Sequence, residues 1–292
     1  MELVCPACRA GVDDRGDAVE CTACGRRYAR SDGVVAFVTD ESEQHAIQRA
    51  YFDTSYETFE QYAIENWRAS YLERIFAALE LAPERDRYLD VGTGATGAAV
   101  IEAARRGVDS YGCDLSVVAV SRARSFAVTE GVADRATFVV SAAEELPFPD
   151  ASFTRLSAVA LLEHLDDDGA GVREMARVLA PGGRAWVMVP HAFRYMPPPV
   201  WPVYWWHDRK LGHKRHYREH DLVEVFARHG FEPLATEFSA HPVKLVQFAL
   251  GRVLPSLRQP SSSWWWRLER LDRRAKGRPL GALHVAALFR KR

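Results

Sequence analysis

The sequence lacks any apolar run near the ~20 residues that cross a bilayer as a helix, which argues against a transmembrane segment. It also lacks a basic n-region followed by an apolar stretch. The opening MELVCPACRA is therefore not read as a secretory signal, and a cytoplasmic location is the expectation. Cysteine is scarce: five residues, too few and too clustered for a disulfide scaffold. Net charge is nearly absent, −1 over 292 residues. What is there is ordinary globular material. Hydrophobic residues at 48% and charged residues at 26% exclude disorder, collagen and coiled coil. The length is enough to bury a large core, as one sizeable domain plus something small or as two modest domains.

The near-zero charge hides an asymmetry. Residues 261–292 carry nine Lys/Arg against two Asp/Glu, beside Trp264, Trp265 and Trp266. Such a tail offers an anionic partner, RNA or a membrane surface, a place to bind. The alternative is a solvated helix with its tryptophans packed.

Four of the cysteines form two knuckles, Cys5-Pro-Ala-Cys8 and Cys21-Thr-Ala-Cys24, with 12 residues between them. Four thiolates suit the tetrahedral preference of zinc and leave no open coordination position, so the ion expected here is structural. Gly25 fits the tight turn that aims backbone amides at a sulfur. A redox dithiol would need one such pair at a helix start, not two. RRYARSDGVVAFVTD then reads as a finishing β-hairpin. Residues 1–40 form this unit. Residues 41–85 read as a helical cap or linker, with apolar residues at three- and four-residue spacing and Pro83 as the stop.

From there strands and helices alternate. Strands are expected at 87–92, 109–115, 136–140, 153–159 and 184–190, with amphipathic helical stretches between most of them. That alternation argues for a parallel sheet covered on both faces. In YLDVGTGATGAAV a strand runs straight into a glycine-rich turn and a helix, and Gly92 and Gly94 let backbone approach a ligand. Asp90 ends the strand. Asp114, 20 residues beyond Gly94 in GCDLS, is placed to hold the two hydroxyls of a ribose. A helix then ends in the Pro-Gly-Gly turn of VLAPGGRAWVMVP before the fifth strand.

LDVGTG, GCDLS, SAAEELPFPDASF, LLEHL and VLAPGGRAWVMVP, in that order, resemble the class I S-adenosylmethionine-dependent methyltransferases of the type 11-like branch. The resemblance implies an α/β fold, a Rossmann-like, doubly wound and mostly parallel seven-stranded sheet spanning residues 86–292, with LHVAALFRKR as the last, antiparallel strand and a small N-terminal zinc ribbon ahead of it. It implies that Asp90, Gly92, Thr93 and Gly94 line the methionine end of S-adenosylmethionine, that Leu115 packs on the adenine, and that Ala143 and Glu144 sit at its edge. Three positions depart from the family pattern: Thr96 where a third loop glycine is usual, Ala142 where an Asp is common, and Thr154 after Phe153. The cysteine unit resembles zinc ribbons carried by some methyltransferases or their partner subunits, ribosomal-RNA guanine methyltransferases among them.

Methyl transfer needs a base only when the nucleophile is protonated. His164 in LLEHL, His191 after the fifth strand and His213 are the candidates, each with a structural alternative. The insert at about 191–217 is rich in Pro and aromatics. Its HDRKLGHKRHY segment resembles an Asp-x-x-x-Gly-His-x-Arg-x-Tyr pattern in a bacterial branch of the family. It reads either as a lid that clamps an acceptor through Asp208, Arg215 and Tyr217 or as a hairpin that docks the insert. The expectation is transfer of a methyl group, at oxygen, to a small-molecule or lipid-linked acceptor. The alternatives are an RNA base methyltransferase and a noncatalytic binding protein of the same fold, the latter motivated by Thr96 and Ala142.

Overall fold

The computed structural model describes residues 1–31, 33–38, 43–56, 66–192, 195, 198, 201–202, 205, 209, 212–241, 254 and 263–292. Four short strands come first: β1 (Val12–Asp14), β2 (Ala18–Cys21), β3 (Arg27–Ser31) and β4 (Val34–Val35). They form one antiparallel sheet in chain order, and β3 and β4 make the expected hairpin. Two helices follow, α1 (Glu43–Tyr56) and α2 (Asn66–Leu79).

The alternating segment then runs β5 (Arg87–Val91), α3 (Ala98–Ala104), β6 (Asp109–Asp114), α4 (Val117–Thr129), β7 (Ala136–Val140), β8 (Phe153–Val159), α5 (Asp168–Val178) and β9 (Leu179–Pro190). Beyond the insert come α6 (Glu219–Ala227), β10 (Phe231–Ser239), α7 (Ser263–Arg274) and β11 (His284–Lys291). The sheet order is β10-β11-β9-β8-β5-β6-β7. Neighbours from β9 to β7 are parallel, and β11 runs antiparallel between β9 and β10. Strands sheathed on both faces read as near-continuous apolar runs, and Tyr88, Leu89 and Val91 of β5 are fully buried, with Asp90 the polar exception at the strand's carboxyl end. Among the described residues no helix is long and apolar enough to cross a membrane.

Two elements differ from the sequence reading. Pro181-Gly182-Gly183 lies inside β9, which starts at Leu179 directly from the α5 C-cap. The β8–β9 register shifts between Phe153 and Arg155, opposite the Pro-Gly-Gly residues, where Gly182 takes a φ of +76°. Strand β10 was not anticipated. Its period-2 pattern is broken at Pro233, where the pairing with β11 bulges before Ala235.

The two flanks of the large sheet are closed differently. At the β7 flank, Phe37 N–H donates to Val140 O at 2.8 Å, Ala36 bridges Val140 in parallel, and Val4 N–H donates to Pro147 O at 3.0 Å. Cys5, Val19, Cys21, Tyr28 and Phe37 share one apolar cluster with Phe148 and Phe153 of the α/β part. Fully burying a side chain the size of Phe37 contributes about 1.5–3 kcal/mol. Near the other flank, α7 docks on α2 through ions. Arg74 is held by Glu269 at 3.3 Å and Asp272 at 3.2 Å, both acids fully buried. Asp272 Oδ1 also takes His241 N–H at 2.8 Å and lies 2.9 Å from His241 Nδ1.

A crevice at the carboxyl ends of the central strands

A cavity of about 330 Å³ opens where β5, β6, β7 and β8 end. This is the rim where ligands bind in open α/β sheets. The glycine turn after β5 forms its floor. Gly92 has φ +75°, and a Cβ there would meet Leu161 at 3.0 Å, so the loops after β5 and β8 are in close approach. Gly97 has φ +54° and caps α3; a Cβ would meet Phe138 and Ala123 at under 3 Å. Close helix–strand packing is the task of the third glycine in such turns. Here Gly97 does it one place later, so Thr96 costs the turn nothing.

Asp114 ends β6 at the cavity edge. Its Oδ2 accepts Gly94 N–H at 2.9 Å and its Oδ1 accepts Ser116 N–H at 3.0 Å. Asp90 accepts a short hydrogen bond from Ser157 Oγ, whose own oxygen lies 2.5 Å from Tyr88 OH. Burial lifts the Asp90 carboxyl to about 6, opposed by that hydroxyl, with the Asp114 charge adding to the lift. Thr93, Leu115, Ala142, Ala143 and Glu144 line the same cavity. Every cofactor-site residue expected from the sequence is therefore at this one crevice.

The strand order gives the crevice two ends. Asp114 and the Ser141–Glu144 loop lie towards β6 and β7; the loop after β8 lies on the opposite side of the glycine turn. His164 and His213 are at that second end, ring centroids 5.0 Å apart. Burial, helped by His213 and Lys214, pulls the His164 imidazole down to about 3, so it is neutral and a weak base at ordinary pH.

The other sequence candidates are placed elsewhere. His191 does not line the cavity. It is 1% exposed, its Nδ1 lies 3.2 Å from Ala282 O, and its ring stacks on Tyr195. The physical reason is the segment just before β11: Leu283 O accepts His191 N–H at 2.8 Å, and Tyr195 and Phe238 pack against the ring. Arg215 and Tyr217 also turn away from the cavity. Tyr217 OH donates to Asp168 Oδ2 at 2.7 Å, and Arg215 donates to Asp166 O at 2.9 Å. With the Lys214–Asp166 ion pair they fasten residues 212–217 to the turn before α5. These contacts dock the segment, and His213 within it lines the crevice. Asp208 lies outside the described residues.

Sequence reasoning did not place the helical zone's residues at the cavity. Phe52 of α1 packs edge-on against His164 at 5.2 Å, and Arg68 and Tyr71 come from α2. Asp53 anchors α1 over the mouth through a short hydrogen bond from Ser116 Oγ. The helical period of this zone announced buried faces but not what they would cover.

The cysteine unit forms a second, separate constellation. The four sulfurs lie within 4.8 Å of one another, with Cys8–Cys21 at 3.3 Å and Cys5–Cys24 at 3.8 Å. Four thiolates around one zinc at ~2.3 Å would stand about 3.8 Å apart, so the set fits that ion. The amides of Cys24 and Ala23 point at Cys21 Sγ and pull its thiol down to about 6. Tyr28 OH stands 3.0 Å from Cys5 Sγ.

Comparison with known proteins agrees with this geometry. Residues 89–187 match the family model described as "Methyltransferase domain". A probable tocopherol O-methyltransferase of Oryza sativa subsp. japonica is 30% identical over 164 residues, 54% of this chain and 43% of that protein. The 27-O-demethylrifamycin SV methyltransferase of Amycolatopsis mediterranei (strain S699) is 41% identical over 99 residues, 34% of this chain and 36% of that protein. The chain thus matches less than half the length of these relatives. Geranyl diphosphate C-methyltransferase from Streptomyces coelicolor A3(2), solved with Mg2+, geranyl diphosphate and S-adenosyl-L-homocysteine, superposes with a TM-score of 0.64 at 14% identity. It covers 87% of this chain and 100% of that one. The α/β architecture is the one seen in class I methyltransferase structures, and residues 89–187 are similar to a methyltransferase domain.

Proposed function

We propose that this chain is an S-adenosylmethionine-dependent methyltransferase that methylates a small-molecule or lipid-linked acceptor at oxygen. The observation that carries the reading is one cavity with an acid for a ribose at one end and a polar, histidine-lined pocket at the other. When bound, S-adenosylmethionine supplies a methyl group already activated on a sulfonium. The protein's share is then alignment and the exclusion of water.

The residues fit that share. The cradle over Gly92 has no room for a Cβ, as a backbone that touches a ligand requires. Asp114 is the group to hold the ribose, with Leu115, Ala142, Ala143 and Glu144 around the adenine. Asp90 is the anion for the ammonium of the methionine part. Phe52 and Leu161 cover the mouth and keep water out. His164 and His213 face the acceptor end. Relatives named for transfer to oxygen support the oxygen reading.

In the ribbon, Cys5, Cys8, Cys21 and Cys24 would hold a structural zinc. Support for RNA as acceptor through the C-terminal segment is reduced by ion pairing within the chain. Arg273 is engaged by Glu73, and Arg290 and Arg292 by Glu232. The test is transfer of labelled methyl from S-adenosylmethionine into a cell extract separated into lipid, RNA, protein and small molecules. Label among lipids or small molecules is expected; label in RNA alone overturns the reading.

A further inference from the structure

Glu163, His164 and His213 bring one carboxylate and two imidazoles to a single point, their ligand atoms within 4.8 Å of one another. We propose that these three residues bind a divalent transition-metal ion at the acceptor end of the crevice, leaving open coordination positions for an oxygen of the acceptor. The statement about the acceptor rests on the function proposed above; the statement about the ion does not.

Three features carry the inference. First, the donor set is a chelate of the right kind. Imidazole and carboxylate together suit zinc, iron(II) and neighbouring ions, and three protein ligands are what an open site has, against four in a closed one. Second, the ligands are held before any ion arrives. Glu163 is fully buried and His164 is 8% exposed. Phe52 packs against the His164 ring, and Glu163 O takes Lys214 N–H at 2.9 Å, which ties the backbone next to His213 to the glutamate. The Lys214, Arg215 and Tyr217 contacts to Asp166 and Asp168 complete the clamp. This gives the docking of the segment a purpose: it fixes the third ligand. Third, the place is right. His164 and His213 line the crevice across the glycine turn from Asp114, so an ion there faces the acceptor and not the ribose.

The ion would orient an acceptor hydroxyl or other oxygen donor, as a Lewis acid does without a protein base. The cysteine set, four sulfurs within one ribbon, is chemically softer and independent of it.

The experiment counts metal. Full-length protein is equilibrated with zinc and its bound metal is measured after gel filtration for wild type, His213→Ala and Glu163→Gln. Two zinc ions per chain are expected in wild type and one in each variant, with the thiolate-to-metal charge-transfer band of the cobalt-substituted protein unchanged in both. His213 is only partly buried, and Glu163→Gln keeps the side chain's shape, so at least one variant retains the fold, checked by circular dichroism. One ion in wild type, or two in both folded variants, overturns the proposal. S-adenosylmethionine binding is titrated on the same samples. Two ions with no cofactor binding uphold the metal site and sink the methyltransferase reading instead.

Discussion

At the β7 flank the sheet is closed by sulfur and aromatic carbon; near the β10 flank it is closed by buried charge. Tyr28, Phe37, Cys5 and Cys21 continue the apolar core outward. Arg74, Glu269, Asp272 and His241 instead join two helices and a loop through ion pairs. The first closure is local, since ligands and core residues fall within 33 residues. The second joins residues nearly 200 apart. The difference teaches that a fold can seal one side with a motif and the other with a network that exists only once the chain is assembled.

The largest effect should come from attacking the sulfur closure. With the proposed zinc in the ribbon, a chelator or Cys21→Ser should lower the melting temperature by roughly 10 °C or more, because a structural zinc contributes folding energy. Thermal unfolding followed by circular dichroism checks this, and an unchanged melt would mean the ribbon stands apart from the core. Next comes the ionic closure. Arg74→Leu leaves Glu269 and Asp272 buried without their cation and should cost about 3–5 kcal/mol in urea unfolding. A cost near zero would make that flank ornamental.

Smaller effects belong to the crevice between the flanks. Asp114→Ala should weaken S-adenosylmethionine binding about 10- to 100-fold, the worth of hydrogen bonds to a charged group, with the melting temperature little changed. Calorimetric titration reads it, and unchanged affinity would misplace the ribose. The smallest effect is in pH. Burial holds Asp90 near 6, so it is largely protonated at pH 5 and ionised at pH 7. A cationic ligand favours the ionised form, so affinity should rise with pH across that window by about tenfold at most. Asp90→Asn should flatten the profile.

What was legible followed distance along the chain. The cysteine knuckles, the five parallel strands and the Gly94–Asp114 pairing are patterns within about twenty residues, where spacing dictates geometry. The ion network at Arg74 was not legible, because nothing local marks a surface-type residue that will be buried against a partner far downstream. The choice at His191 between a base and a structural residue was open for the same reason: it follows a strand at the ligand-binding rim, and the residues that meet it, Ala282 and Leu283, come about ninety residues later. Arg215 and Tyr217 left the clamp and docking readings open because their partners, Asp166 and Asp168, stand almost fifty residues earlier. Phe52 was within a readable helix, yet only the assembled crevice reveals what it covers.

The bond from Phe37 to the Val140 carbonyl carries one more consequence. Strand β7 ends the sheet, and a naked terminal strand is a template on which another molecule can add its own. The cysteine unit occupies part of that rim. A chain whose cysteine unit comes loose is then expected not only to soften but to become adhesive, clumping through the exposed border before its interior has come apart.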